Sequence, residues 1–176
     1  GGQVHWARTG VEGCRLITEI CKKVGARRIT KGKSMVSEEM DLNTFLEEHG
    51  IEVLESDLGE YIIQLVNELP SHIIMPAIHK NREEIADIFQ DKVDPGQRNE
   101  TAEEMTATAR QVLRKKFQDA GNGITGVNFA VAETGTLCLV ENEGNGRFCT
   151  TLPRIHVALM GIEKVVGKLE DLPPLL

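Results

Sequence analysis

Apolar residues recur along the chain with two different periods. Thr9 and Glu12 bracket a capping box, and Val11, Cys14, Ile17, Ile20, Cys21 and Val24 then share one helical face until Gly25. Ala26 to Thr30 reads as a short strand and Lys31-Gly32-Lys33-Ser34 as a loop. Ser37, with Glu38 and Glu39, opens a second helix carrying Met40, Phe45 and Leu46, which Gly50 stops. Ile51 to Glu55 is a further strand, and an amphipathic stretch around Tyr61 to Val66 ends near Pro70. His72 to Met75 is apolar and short enough for a buried strand. Asn81 caps a helix to about Phe89, a polar loop surrounds Pro95-Gly96, and Thr101 with Glu104 opens a long helix through Phe117. The period then changes to that of strands: 127–133, 136–140, 148–152 and 155–160 are β-like, with Asn145-Gly146 a hairpin signal.

Helices alternating with short strands predict an α/β fold: a three-layer domain whose mostly parallel sheet carries helices on both faces. The C-terminal half is expected to add a β-rich portion to that sheet. A length of 176 residues with 40% hydrophobic content supports one core and a single domain over 1–176. A formal charge of −7 argues against general nucleic-acid binding, which selects for clustered Lys and Arg. The chain lacks an apolar run near the ~20 residues needed to span a bilayer, and a soluble, cytoplasmic protein is expected. Cys14, Cys21, Cys138 and Cys149 include no CxxC pair, so no metal site is expected; Cys14 and Cys21 lie seven apart on an apolar helical face and read as core thiols. Gly1-Gly2-Gln3 and Pro173-Pro174-Leu175-Leu176 read as the ends of an excised piece of a longer protein.

Several polar groups interrupt the apolar pattern at predicted strand ends, where open α/β sheets bind ligands. Lys31-Gly32-Lys33-Ser34 offers two ammonium groups to an anion, without the spacing of a P-loop, or is a solvated loop. Glu55, Asp57 and Glu60 crowd carboxylates after another strand, as a base, a metal ligand or a solvated turn with Asp57 capping the next helix. His79 and Lys80 would emerge at the same edge, whereas His72 reads as structural. Glu133-Thr134-Gly135-Thr136 sets a carboxylate in an apolar β stretch, either buried as a base or nucleophile or turned to water. Arg154 and His156, two apart, share a face if the segment is a strand, where Arg suits a carboxylate or phosphate; a structural ion pair is the alternative.

Taken in order, Lys31-Gly32-Lys33-Ser34-Met35, Glu55-Ser56-Asp57-Leu58-Gly59-Glu60-Tyr61, Pro70-Ser71-His72, Pro76-Ala77-Ile78-His79-Lys80, Ala132-Glu133-Thr134-Gly135-Thr136, Glu143-Gly144-Asn145-Gly146-Arg147 and Leu152-Pro153-Arg154-Ile155-His156 span nearly the whole chain. This set resembles the LUD domain of the lactate-utilisation protein B family. The resemblance implies the fold shared by sugar-phosphate isomerases and CoA transferases. It also implies membership, with sister lactate-utilisation subunits, of an iron–sulfur electron-transfer system oxidising L-lactate to pyruvate. The 4Fe-4S clusters would belong to a C-terminal ferredoxin-like region of the parent. That region and an N-terminal extension are absent here, and four scattered Cys cannot supply the cluster ligands, so no cofactor is expected in this chain.

Because these polar motifs converge on strand ends, the domain is expected to bind a small anion such as lactate or to position the lactate-oxidising partner there: Lys31, Lys33 and Arg154 would hold the anion, with Ser34, Glu60, Lys80, Thr134 and Gly135 around it and His79, Glu133 and His156 handling protons. Two alternatives stay open: a CoA transferase-like enzyme with Glu133 as nucleophile, and a non-catalytic scaffold that docks sister subunits.

Overall fold

The computed structural model describes residues 2–72 and 74–176. The strands are β1 (Arg28–Lys31), β2 (Glu52–Glu55), β3 (Asn122–Gly126), β4 (Phe129–Val131), β5 (Thr136–Cys138), β6 (Ile155–Leu159) and β7 (Val165–Val166). The α-helices are α1 (Gly10–Lys23), α2 (Met35–Glu39), α3 (Leu42–Glu48), α4 (Leu58–Val66), α5 (Arg82–Lys92), α6 (Ala102–Asp119) and α7 (Asn145–Thr151).

Strands β2, β1, β3 and β6 form a four-stranded sheet in that order, and every pairing in it is parallel. All four carboxyl ends therefore meet at one edge. Neighbouring residues on a strand face opposite sides. Accordingly Val53 joins the core under α1 and α3 with Cys14, Ile17, Cys21, Leu42 and Leu46, while Leu54 joins the core under α4, α5, α6 and α7 with Tyr61, Phe89, Leu113 and Cys149. Three layers result, as the alternation predicts. Helix starts follow the expected caps: Thr9 accepts from the Glu12 N–H, and Asn81 with Glu84 and Thr101 with Glu104 form complete capping boxes.

The remaining three strands depart from the expectation. They form a separate small sheet, β5-β4-β7, with β4 antiparallel to β5 and parallel to β7, and from the C-terminal half only β3 and β6 join the main sheet. The single helix expected from Ser37 to Gly50 is two, because Ser34 caps an earlier start and Asp41 adopts a left-handed conformation (φ 51°) between them. Residues 145–151 form α7 rather than a hairpin turn and a strand. The carboxylate of Glu141 accepts from the Arg147 N–H at 2.8 Å and so satisfies a donor in the first helical turn. Strand β3 was not foreseen at all, since Asn-Gly-Ile-Thr-Gly has the composition of a turn. Its Gly123 lets the Cys149 backbone of α7 close onto the sheet, leaving no room for a Cβ.

The strand expected at 72–75 is also corrected, with Ile73 lying outside the described residues. His72, Ile74 and Met75 are exposed in irregular backbone. The N–H groups of Ile74 and Met75 donate instead to Nδ1 of His72, at 3.1 and 3.2 Å. A side chain that captures local donors this way competes with a strand ladder.

Candidate functional site

Lys31 is the last residue of β1 and stands opposite Glu55, the last of β2. Its side chain has no solvent exposure, and its Nζ lies 3.0 Å from Glu55 Oε1 and 2.9 Å from Glu38 Oε1. It also donates to Ser37 Oγ at 3.2 Å. Burial alone would push this ammonium's pKa down, but Glu55 and Glu38 reverse the shift and hold it above the ordinary lysine value. The Asn43 amide donates to Glu55 Oε1 at 2.5 Å, completing a buried ionic knot at the carboxyl edge of the sheet.

Glu60, in the first turn of α4, faces this knot. Its pKa is pushed up to about 8, first by burial and then by the charge of Glu55, with Lys31 opposing. Glu55 Oε2 and Glu60 Oε2 are both buried with no hydrogen-bond partner when the two groups are counted as carboxylates, which can only accept. A proton on Glu60 removes the conflict by making this carboxyl a donor to Glu55. Glu60 therefore stays protonated through neutral pH.

Beside the knot, Lys33 Nζ lies 3.1 Å from Asp57 Oδ2 and donates to the Ile74 carbonyl at 3.2 Å. Asp57 caps α4 by accepting from the Glu60 N–H at 3.1 Å. The loop before α7 adds Glu143, whose pKa is raised by burial and by Asp57, and Asn145, whose amide donates to Ser56 Oγ at 3.5 Å. A cavity of about 200 Å³ opens here, lined by Lys33, Ser34, Glu38, Glu60, Ser71 and His72, with Met35 and Pro70 at its sides. The lysines at this edge, Lys31 and Lys33, are surrounded by the acids Glu38, Glu55, Asp57, Glu60 and Glu143, so the site is acidic even with Glu60 neutral.

Of the residues singled out from the sequence, Lys31, Lys33, Ser34 and Glu60 meet here. His79 and Lys80 sit in the α4–α5 loop, whose Ser71 and His72 line the same cavity, and both bind Glu68: His79 Nε2 at 2.9 Å and Lys80 Nζ at 2.6 Å. The other residues do not line this cavity. His156 is half-buried on β6, 2.8 Å from Thr125 Oγ1, its pKa lowered by burial. Arg154 is exposed immediately before β6, which in a parallel sheet is the amino edge, opposite Lys33. Glu133, Thr134 and Gly135 form the exposed turn between β4 and β5, where Gly135 has φ 68° and Glu133 borders an open depression with Lys168, Leu169 and Glu170. Sequence reasoning missed Glu38, Asn43, Glu68, Ser71 and Glu143. The pairing of Pro70-Ser71-His72 with Glu143-Gly144-Asn145 was the available signal, because both motifs fall in loops at one edge.

A family model described as LUD domain matches residues 1–176. The chain belongs to the LUD domain family. This LUD domain is 50% identical over 172 residues to Lactate utilization protein B of Bacillus thuringiensis (strain Al Hakam), of Bacillus cereus (strain B4264) and of Bacillus anthracis (strain A0248). In each case the match takes in 98% of the chain and 36% of the relative, so the LUD domain spans about a third of the length of these relatives. No solved structure matches it. Among the described residues, no helix is long and apolar enough to cross a membrane.

The thiols of the LUD domain do not fit the ligand set of an iron–sulfur cluster. Cys14 and Cys21 lie in the core under α1, Cys149 lies in the opposite core, and Cys138 is on β5. Burial raises the pKa of Cys14, Cys21 and Cys149, which disfavours the thiolate that a cluster requires. Among the described residues no group of three or more His, Cys, Asp or Glu side chains is arranged to hold a metal ion.

Proposed function

We propose that this domain is the ligand-binding module of a lactate-utilisation protein and takes a small 2-hydroxy or 2-oxo acid, such as lactate or pyruvate, at the carboxyl-edge cavity. The observation that carries the reading is the cavity itself, which joins a partly exposed ammonium, Lys33, to a carboxyl, Glu60, that keeps its proton up to about pH 8. Lys33 would exchange Asp57 for the ligand carboxylate, and Glu60 would turn its proton from Glu55 to the hydroxyl or keto oxygen. Lys31, fully committed to Glu38 and Glu55, holds the frame and not the anion.

On this reading the sheet has the fold of sugar-phosphate isomerases and CoA transferases, with its ligand at a strand-end crevice. The 4Fe-4S clusters and electron transfer of L-lactate oxidation would belong to other parts of a longer protein that works with sister subunits. The names of the relatives support the pathway. Calorimetry of the chain with L-lactate and with pyruvate tests the site: binding is expected, Lys33→Ala abolishes it, and Glu60→Gln retains it while removing its decline above pH 8. Absence of heat with both acids would falsify the reading.

The scaffold reading keeps one observation of its own. Leu69, Ile74, Met75 and Ile78 are all exposed on the α4–α5 loop, an apolar surface that a partner subunit would cover. It predicts that Ile78→Asp blocks assembly with sister subunits while leaving calorimetric binding intact.

A further inference from the structure

The α4–α5 loop carries a hydrogen-bonded chain that ligand binding does not use. Glu68 Oε1 accepts from Lys80 Nζ at 2.6 Å, and its Oε2 lies 2.9 Å from His79 Nε2. The hydrogen bonds from Lys80 and His79 hold the Glu68 carboxyl below the usual carboxylate range, so it is ionised. An ionised carboxylate only accepts, which puts a proton on Nε2; in the neutral imidazole Nδ1 is then the acceptor. Ser71 Oγ lies 2.8 Å from that nitrogen, close enough to pass it a proton. At rest the hydroxyl also has the Pro76 carbonyl as an acceptor at 3.2 Å, so its proton must turn to Nδ1 for activation. Ser71 also lines the cavity, together with Lys33 and Ser34.

We infer that Ser71 is a nucleophile activated by His79, with Glu68 as the positioning residue, and that it accepts the acyl group of a small ester or thioester. The order of the ring nitrogens is reversed relative to the usual serine triad, but the proton logic is unchanged, since such sites are defined by geometry and roles. Ser71 Oγ bonds to the acyl carbon as its proton passes to His79 Nδ1. The bond from that carbon to the alcohol or thiol then breaks, and the leaving group takes the proton from His79. Water repeats the sequence on the acyl-serine and releases the acid. Lys33 and the Ser34 hydroxyl, in the same cavity, supply the positive charge and donor that a developing oxyanion needs. A volume of about 200 Å³ restricts the acyl group to a few carbons.

This step shares the cavity and Lys33 with the ligand proposed above, but its test does not use lactate. The protein is incubated with a short-chain alkyl fluorophosphonate and read by intact mass and peptide mapping, with p-nitrophenyl acetate as the acyl substrate. One adduct on Ser71, formed with loss of fluoride, is expected, together with a burst of p-nitrophenol equal to the protein concentration. Ser71→Ala removes both. His79→Gln slows labelling by about 100-fold or more, the low end for removing a general base. Glu68→Gln, which presents an amide donor to the Nε2 proton, also slows it, and Glu68→Asp restores part of the rate. All three positions are exposed, so unchanged circular dichroism should accompany each loss. Labelling of Ser71 no faster than in unfolded protein, or a rate indifferent to His79→Gln, overturns the inference.

Discussion

Replacing Lys31 by Met tests whether the ionic knot holds the carboxyl edge together. The substitution keeps most of the volume and the unbranched stem but removes the ammonium. Glu38 is 40% exposed and can turn to water, so its bond to Lys31 contributes less than about 1 kcal/mol. Glu55 cannot escape in the same way, because its side chain is 6% exposed. It would be left with the Asn43 amide and a neighbouring carboxyl, Glu60. Removing one member of a buried pair costs about 3–5 kcal/mol, a large part of the ~5–15 kcal/mol that holds a domain folded. At ~2–4 °C per kcal/mol for a chain of this size, the melting temperature should fall by roughly 6–20 °C. Urea unfolding followed by circular dichroism reads the loss directly. Glu38→Gln should lose less than about 1 kcal/mol in the same assay. The double variant Lys31→Met/Glu55→Leu should recover most of the deficit, since a buried pair replaced whole by apolar groups is often neutral. If Lys31→Met stays within about 1 kcal/mol of the parent, the pair contributes no more than a surface one and the account of the edge is wrong.

The protonated Glu60 makes stability depend on pH with a definite sign. Its folded pKa of about 8 lies above the ordinary 4.5, so the stabilisation present in full below 4.5 is lost as pH rises through 8. The slope is at most about 1.4 kcal/mol per pH unit, and urea midpoints across this range should flatten in Glu60→Gln; an unchanged slope would place the proton elsewhere. Gly123→Ala should destabilise by about 3 kcal/mol or more, because the new methyl overlaps the Cys149 carbonyl and backbone must move; a normal urea midpoint would mean that α7 is not seated on β3. Asn81→Ala removes the side-chain half of the α5 capping box and should cost about 1 kcal/mol, with a local rise in amide exchange over the first turn of α5.

Elements were legible where local and tertiary signals agree. Thr9, Asn81 and Thr101 cap α1, α5 and α6 with side chains whose geometry is set within a few residues, so the sequence alone locates those starts. Strand β3 failed for the opposite reason. Asn122 and Gly123 are turn formers, yet Asn122 is buried and donates to Cys21 Sγ at 3.3 Å across 101 residues, and Gly123 is needed for an approach by α7. Neither contact leaves a local trace. Asn145-Gly146 misled similarly: the pair suits a hairpin, but Gly144 takes the left-handed conformation (φ 79°) and the pair starts a helix.

The site was half legible, and the missing half is register and direction. Lys31 reads as loop until β1 is extended by one residue, and that residue places it opposite Glu55, in the sheet and out of reach of solvent. Lys33, two residues on, escapes burial and keeps a partly exposed ammonium. Arg154 reads as a second anion clamp until β6 is known to run parallel to β1, which sends it to the far edge. The consequence for recognition is physical. Lys33 is the one lysine or arginine lining the cavity among the described residues, and carboxylates surround it. An anion must displace Asp57 to bind, so a monoanion that also accepts a hydrogen bond from neutral Glu60 is favoured over a phosphate, whose second charge would face the same carboxylates unpaired.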